Sequence, residues 1–218
     1  MIKEIRIHFR KCGQVKYISH LDLMRTMTRA VRRAGIPVWY TEGFNKHPYL
    51  TFAAPLSLGV EGLSESMDNK LIQDIDMEDI VSGLNSVLPS GLEVYSAGTP
   101  VMKAGDIDKA VYRLTFPVKP KDFAAFLEQD SITVEKRTKK GGQRLIELKP
   151  FIEQGAISQK DDGSTVMEVT LPCSSTQTIN PLLIVSACKN YFADKGQQHI
   201  FCDVLRLDLL DGQGNSFK

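Results

Sequence analysis

Hydrophobic and polar residues alternate at the start of the chain. Ile5, Ile7 and Phe9 fall on one side of an extended segment, and charged or polar residues fill the positions between them. A repeat of two is typical of a strand with one buried face. Residues 2–10 are therefore predicted to form a half-buried strand whose basic groups point outward.

The pattern then changes to a helical repeat. Ser19 stands three residues before Asp22, the spacing of a capping box, and Gly35 and Pro37 supply a stop. The apolar stripe between these signals consists of Leu23, Met27, Ala30 and Ala34, flanked by Met24 and Val31. The sequence thus predicts an amphipathic helix between Ser19 and Gly35.

Further strand and helix patterns follow in both halves of the chain. In the first half we predict extended segments at 37–53, interrupted at 43–48, a strand at 67–75, a helix from Asp76 to before Pro89, and a strand at 92–95. In the second half we predict strands at 111–118, 132–136, 144–148, 165–171 and 203–209, and helices at 121–129 and 182–193. An asparagine followed by proline, Asn180-Pro181, opens the last helix.

This order predicts an α+β protein made of two tandem ferredoxin-like (βαββαβ) halves packed together. The first half would span residues 1–104 and the second 105–218, with a linker within 98–109 that carries Pro100 and Gly105.

Composition is that of a globular protein. The chain has 218 residues, of which 42% are hydrophobic and 24% charged, enough for one large domain or two small ones. No apolar run approaches the ~20 residues that a bilayer crossing needs, and the first residues do not resemble a signal peptide. We therefore expect a cytoplasmic protein without membrane contact. Four scattered cysteines favour reduced thiols over disulfides or a zinc knuckle.

The net charge of +1 conceals a separation of charge. Residues 1–50 contain ten Lys or Arg and three Asp or Glu, whereas residues 51–105 contain two and eight. A local excess of positive charge can attract a polyanion. The alternative is that the two segments neutralise each other in the folded protein.

The first helix carries the densest cationic pattern. Arg25, Arg29 and Arg32 recur at i, i+4 and i+7 opposite the apolar stripe, and Arg33 lies beside them. Further cations flank the entrance to the helix: Arg10, Lys11 and Lys16. Arginine forms bidentate contacts with phosphate, so this face is a candidate nucleic-acid surface. A solvated helix face is the alternative.

The interruption at 43–48 is a second candidate. It places Phe44, Asn45, Lys46 and His47 in one loop, where an aromatic ring could stack on a base and polar groups could read it. His20 adds an imidazole at the helix N-terminus, where an anion is favoured. A structural turn with a satisfied histidine is the alternative.

Other chemistry is poorly supported. His20, Asp22 and His47 are suitable metal ligands, but His20 and Asp22 point in different directions, and we expect no metal. The chain lacks a nucleophile elbow, a Walker loop and a G-x-G-x-x-G motif, so we expect no catalytic residue and no cofactor. In the second half Lys139 and Lys140 belong to a cationic cluster at a glycine turn, a possible extension of the basic surface or an ordinary solvated hairpin tip.

Several strings carry a family resemblance. They are Phe9-Arg10-Lys11-Cys12-Gly13, Ile18-Ser19-His20-Leu21-Asp22-Leu23-Met24-Arg25, residues 29–37, Gly43-Phe44-Asn45-Lys46-His47-Pro48 and residues 52–60, with a weaker match at Glu147-Leu148-Lys149-Pro150-Phe151-Ile152. Over these residues the chain resembles the bacterial radical-SAM-linked domain of unknown function, which occurs alone or behind a radical-SAM enzyme. This chain lacks the C-x-x-x-C-x-x-C cluster motif, so the resemblance implies an accessory domain with a separate radical-SAM partner.

Three functions remain open. The chain is predicted to be a non-catalytic module that binds RNA, such as tRNA or rRNA, and works with a radical-SAM enzyme. A second hypothesis is a protein docking domain that uses the acidic stretch 61–79. A third is a metal-independent ribonuclease with His20 or His47 as general acid or base, by fold analogy only.

Overall fold

A computed structural model describes residues 2–137, 141–197 and 200–218. The fold is α+β, as predicted. The strands are β1 (Lys3–Lys11), β2 (Leu50–Phe52), β3 (Glu61–Leu71), β4 (Leu92–Gly98), β5 (Ile107–Phe116), β6 (Thr133–Arg137), β7 (Gln143–Glu147), β8 (Ala156–Gln159), β9 (Thr165–Pro172) and β10 (Asp203–Asp211). The helices are α1 (His20–Arg33), α2 (Met77–Asn85), α3 (Pro120–Leu127), α4 (Lys149–Ile152) and α5 (Pro181–Asp194). Among the described residues, every helix is too short or too polar to cross a lipid bilayer.

The chain forms two compact units. The first contains Met1–Asp108 and Arg206–Lys218, and the second contains Lys109–Leu205. The chain passes from one unit to the other within β5 and again within β10.

The first unit is built on strands in the order β4, β1, β3 and β10, and the short β2 pairs with the C-terminal half of β3. β1 is antiparallel to both of its neighbours. Its alternation sends Ile5, Ile7 and Phe9 into the hydrophobic core, where they pack with buried residues of α1 and α2. The opposite side of β1 is left for Arg6, His8 and Arg10 because successive side chains point to opposite faces.

Local signals explain where α1 begins and ends. The Ser19 hydroxyl accepts a hydrogen bond from the Asp22 backbone N–H at 3.1 Å, which satisfies one free donor of the first turn. Gly35 follows the helix with φ of +66°, a conformation that favours glycine. The buried residues of the helix are Leu23, Met27, Ala30 and Val31. The predicted stripe is confirmed except that Ala34 is only half-buried and Met24 is exposed.

The second unit contains β5, β9 and β8 as antiparallel neighbours, and β6 and β7 as a separate antiparallel pair. Its core includes a run of aromatic rings in which Phe123 lies between Phe116 and Phe126, at centroid distances of 4.7 and 5.6 Å. The Asn180 side chain accepts the Leu182 N–H at 3.0 Å, so the predicted start of the last helix is confirmed.

The structure differs from the sequence predictions in several elements. The strand predicted at 67–75 is Glu61–Leu71. Its first half was missed because Glu65 and Ser66 are buried, although a hydrophobicity pattern assigns such polar residues to solvent. β8 and α4 were not predicted. The expectation that the basic groups of the first strand point outward is wrong for Arg6, which is 2% exposed and paired with a carboxylate.

Candidate ligand-binding surfaces

The outer face of α1 presents the predicted arginines to solvent. Arg25, Arg29, Arg32 and Arg33 are all exposed. Arg25 pairs with Asp22 at 3.3 Å, and within the described ranges no carboxylate forms an ion pair with the other three. The helix therefore keeps most of its positive charge available.

One contact joins this helix face to the predicted loop. The Arg32 guanidinium lies over the Tyr40 ring, 5.6 Å from its centroid. Tyr40 also forms an isolated β-bridge with Pro48, so these two residues hold the ends of the loop together. The arginine–loop surface is defined here as Arg25, Arg29, Arg32, Arg33, Tyr40, Phe44, Asn45, Lys46 and His47.

The loop itself is an ordered turn with exposed side chains. His47 Nδ1 lies 2.9 Å from the Asn45 carbonyl oxygen and 3.2 Å from the Thr41 hydroxyl. The Thr41 N–H donates to the His47 carbonyl at 2.9 Å. Phe44 has a fully exposed ring, and Asn45 is exposed at the same tip. The predicted binding groups are thus on one loop, next to the arginines.

The three cations predicted at the helix entrance do not join that surface. Arg10 pairs with Glu93 at 3.0 Å, and Lys16 pairs with Glu61 at 3.7 Å. Lys11 is 2% exposed, and its ammonium group donates to the carbonyl oxygens of Lys16 at 3.3 Å and Ile18 at 3.5 Å. Burial lowers the pKa of Lys11, while the Glu65 carboxylate opposes that shift. At the entrance to α1, basic residues of segment 1–50 are therefore paired with acidic residues of segment 51–105, whereas within the described part of the chain most arginines of α1 itself are not.

The start of α1 uses its polar groups locally. Asp22 accepts the Ser19 hydroxyl at 2.7 Å, and this bond is the main cause of a lowered pKa for that carboxyl. His20 packs edge-on against Phe52, with 5.1 Å between ring centroids, and its Nδ1 is buried without a hydrogen-bond partner. Within the described ranges, no three His, Cys, Asp or Glu side chains are grouped to hold a metal ion.

A buried ion pair lies on the helix side of the same sheet. Arg206 Nε donates to Glu65 at 2.9 Å, a second guanidinium nitrogen contacts the other carboxylate oxygen, and that nitrogen also reaches the Ala54 carbonyl at 2.5 Å. The pair joins β3 to β10, and removing one partner would leave the other as a buried charge without its counter-ion.

The opposite side of the sheet bears a cleft of about 560 Å³, formed entirely by the first unit. Its floor comes from β1, β3, β4 and β10, and its rim from residues 99–101 and 216–218. The sheet-face cleft is defined here by its polar and aromatic lining residues, Arg6, His8, Arg10, Ser64, Tyr95, Asp208, Ser216 and Phe217. Sequence patterns did not indicate this site, because its residues come from positions up to about two hundred residues apart.

Tyr95 projects into the cleft from an irregularity in β4. The pairing of β1 with β4 shifts between His8 and Phe9, which leaves Tyr95 as the extra residue of a bulge. Bulges often re-aim a side chain beside a functional site. The Tyr95 hydroxyl lies near Ser64, whose own hydroxyl donates to Asp208 at 3.1 Å. Ser216 donates to the same carboxylate at 2.5 Å.

The remaining predicted residues, Lys139 and Lys140, lie outside the described residues. The four cysteines are free thiols. Burial raises the pKa of Cys202 to about 12 and also raises that of Cys188, so neither is poised to act as a thiolate.

Comparison with other proteins places the chain in a family. The profile of a family described as an uncharacterized protein conserved in bacteria (DUF2344) matches residues 4–181. The chain belongs to this family. No match was found among proteins of curated function. The crystal structure of an unknown protein from Galdieria sulphuraria is similar over 94% of this chain and 99% of that chain, with 13% identity and a TM-score of 0.31.

Proposed function

We propose that the protein is a non-catalytic, cytoplasmic module that binds RNA through the arginine–loop surface. The observation that carries this proposal is the contact of Arg32 with Tyr40, which links the cationic helix face to the base of the loop. A surface of this composition can hold phosphates along the helix and bases at the loop.

Charge supports the helix part of this proposal. Arg29, Arg32 and Arg33 lie on the same exposed side of α1 without a carboxylate in ion-pair distance among the described residues. Phosphates can therefore bind these arginines without first displacing an internal partner. Such contacts release counterions and make binding strongly dependent on salt.

The exposed ring of Phe44 supports the loop part. Leaving a phenylalanine fully in water is unfavourable by itself, and single-stranded RNA is commonly bound by stacking unpaired bases on such rings. The amide of Asn45 lies beside it as a donor and an acceptor. RNA with unpaired bases, such as a tRNA or rRNA loop, fits this arrangement better than a uniform duplex.

The partner and the fold class belong to the same proposal. Resemblance to the radical-SAM-linked domain suggests that a separate radical-SAM enzyme acts on the bound RNA. The order β4, β1, β3, β2 in the first unit supports a ferredoxin-like topology. The succession β5, α3, β8, β9, α5 supports a second one with the β6–β7 hairpin inserted.

The test is salt-dependent binding of a fluorescent single-stranded or hairpin RNA. Three to five phosphate contacts predict a log–log slope of roughly −2 to −5. The variant Arg29→Glu/Arg32→Glu should bind at least about tenfold more weakly. Lys121→Glu/Lys189→Glu is the matched control, because it makes the same change of charge at exposed residues on helices of the second unit.

Other outcomes would replace the proposal. If the wild-type protein shows no salt-sensitive RNA binding, the α1 face is an ordinary solvated surface. Docking of a protein partner would then use residues 74–79, since Glu61, Glu65 and Asp68 are held in internal ion pairs. Cleavage of the RNA without added metal would instead favour a ribonuclease.

A further inference from the structure

The sheet-face cleft is separate from the arginine–loop surface. Ile5, Ile7 and Phe9 of β1 point toward α1 and α2, whereas Arg6 and His8 point to the other face of the sheet. The hydrophobic core therefore lies between the cleft and α1. A ligand in the cleft would not touch the arginines of the helix.

The cleft contains a small aromatic platform. The rings of His8 and Tyr95 lie 5.9 Å apart, and the Arg10 guanidinium lies 5.1 Å from the Tyr95 centroid. The Tyr95 ring remains partly exposed in the cleft. A planar heterocycle can stack on such a ring, and the nearby guanidinium adds to the attraction.

The group in the cleft that can bind an anion is Arg10. Arg6 and Arg10 both line the cleft, and Asp208 is the carboxylate side chain among its described lining residues. The charge of Arg6 is balanced by Asp68, and Arg6 also donates to the Lys218 main-chain oxygen. Arg10 is different because both side chains of its ion pair with Glu93 are exposed to solvent. Ion pairs exposed to water are weak, so a phosphate can recruit this guanidinium from Glu93.

Two further groups can recognise polar atoms. Asp208 accepts bonds from Ser64, Ser216 and the Leu209 N–H, which leaves about one of its four acceptor positions for a ligand hydroxyl. His8 has no hydrogen-bond partner within the described part of the chain. Burial and the Arg6 charge lower the pKa of His8, so its neutral ring offers one donor and one acceptor.

From this combination we propose that the sheet-face cleft binds a nucleoside 5′-monophosphate. The base would stack on Tyr95 beside His8, the phosphate would bind Arg10, and a ribose hydroxyl would donate to Asp208. The volume of about 560 Å³ suits a ligand of this size, since small-molecule pockets span roughly 300 to 1,000 Å³. This proposal does not depend on RNA binding by α1.

The test is calorimetric titration of the full chain with AMP, GMP, CMP and UMP, with the nucleosides and inorganic phosphate as separate probes. At least one monophosphate should bind about tenfold or more tightly than its nucleoside and than phosphate alone, because both parts of the ligand are recognised. Absence of binding by all four at millimolar concentration would overturn the proposal. Equal binding of phosphate alone would also overturn it.

Variants locate the ligand. Tyr95→Ala should weaken binding about tenfold or more, whereas Tyr95→Phe, which keeps the ring, should stay within about threefold. Arg10→Gln should weaken binding of the monophosphate by a larger factor than binding of the nucleoside, because only the monophosphate loses a phosphate contact. Arg113→Gln is its matched control. Arg113 pairs with Glu168 at 2.6 Å, and this pair is about as exposed as that of Arg10 and Glu93 but lies in the second unit. Binding that survives Tyr95→Ala would place the ligand elsewhere.

The free nucleotide and an RNA terminus share this chemistry, and a third arm separates them. A trinucleotide with a 5′-phosphate that competes with the monophosphate in the Arg29→Glu/Arg32→Glu variant would identify the cleft as a site for RNA ends. Failure to compete would identify a free nucleotide as the ligand. Loss of monophosphate binding in that helix variant would contradict a separate cleft site.

Discussion

Arg6 and Asp68 form a bidentate ion pair between the neighbouring strands β1 and β3. Arg6 Nε and Nη2 donate to the two carboxylate oxygens at 2.7 and 2.8 Å, and the residues are direct partners in the pairing of β1 with β3. The Phe217 ring covers the guanidinium with its centroid 4.2 Å away. Because Arg6 is 2% exposed, water cannot solvate its positive charge, and the Asp68 carboxylate stabilises that charge instead.

Removing the carboxylate should therefore destabilise the first unit. We expect Asp68→Ala to lower the free energy of unfolding by about 3 kcal/mol, since a buried charge loses its counter-ion. Trp39, the single tryptophan, lies in this unit and reports its unfolding in urea by fluorescence. Glu93→Ala, which breaks the exposed pair with Arg10, should cost no more than about 1 kcal/mol. Equal losses in the two variants would show that burial does not strengthen the Arg6 pair.

The half-buried imidazole of His8 predicts a specific pH dependence. Burial, with a contribution from Arg6 and opposition from Asp68, lowers the pKa of His8 below 6.5 in the folded protein. Below pH 6.5 the unfolded chain therefore binds the proton first, and stability is lost as the pH falls. The other groups around this ring are Arg10, Tyr95 and Asp208.

Urea unfolding at pH 7.5 and 5.5 measures this contribution. The wild-type protein should lose more unfolding free energy between the two values than His8→Gln, whose side chain does not titrate. Both values lie above the range in which Asp and Glu ordinarily titrate. The same loss in both proteins would show that His8 does not cause the dependence.

Gly91 should be difficult to replace, because a positive φ and a close approach of main-chain atoms coincide there. Its φ is +91°, and an added Cβ would lie 2.4 Å from the Cys12 carbonyl oxygen and 2.9 Å from a Val15 methyl group. The Cys12 N–H also donates to the Gly91 carbonyl at 2.8 Å, so the backbone cannot easily move away. We expect Gly91→Ala to cost at least about 2 kcal/mol.

Gly105→Ala is the control for this substitution. Its added Cβ meets no atom within 4 Å, and its φ is not positive. A change within about 0.5 kcal/mol is expected by thermal unfolding. If Gly91→Ala is as stable as this control, the close approach to Cys12 is not a constraint.

The loop side chains should affect RNA affinity without changing its salt slope. Asn45→Ala removes an amide that is expected to hydrogen-bond to RNA, but it removes no charge. His47→Ala also removes the contacts of Nδ1 with Asn45 and Thr41 within the loop. We expect both variants to bind RNA more weakly with a log–log salt slope close to that of the wild type, as for groups that contact bases or sugars. Filter binding at several salt concentrations gives both quantities. A slope that falls by about one unit would mean that the residue contacts a phosphate.

The regular helices were predictable because their signals are local. Ser19, the apolar stripe of α1 and Gly35 lie within seventeen residues of sequence, and each acts on its immediate neighbours. The same holds for Asp76, which accepts the Glu78 N–H at the start of α2. Hydrogen bonds over two or three residues leave a pattern that sequence alone reveals.

The buried charges were not predictable for the opposite reason. Arg206 and Glu65 are 141 residues apart, and Arg6 and Asp68 are 62 apart. Arg, Glu and Asp usually lie at the protein surface. Burial of these side chains is tolerated only because an oppositely charged partner lies beside each of them. The cleft combines several such distant residues, so no local motif marks it. The arginine face of α1 was visible in sequence because helical spacing alone brings its members together.

The hydrogen bond between Arg6 and the main-chain oxygen of Lys218 joins residues 212 positions apart. The same oxygen accepts the N–H groups of Val101 and Met102. The segment 206–218 therefore also contacts the last part of 1–108, the other segment of the first unit. During translation, Arg6 leaves the ribosome long before the residues that cover it. The second unit is synthesised in full before the first can close, and the sheet-face cleft cannot be assembled until residues 206–218 have been synthesised.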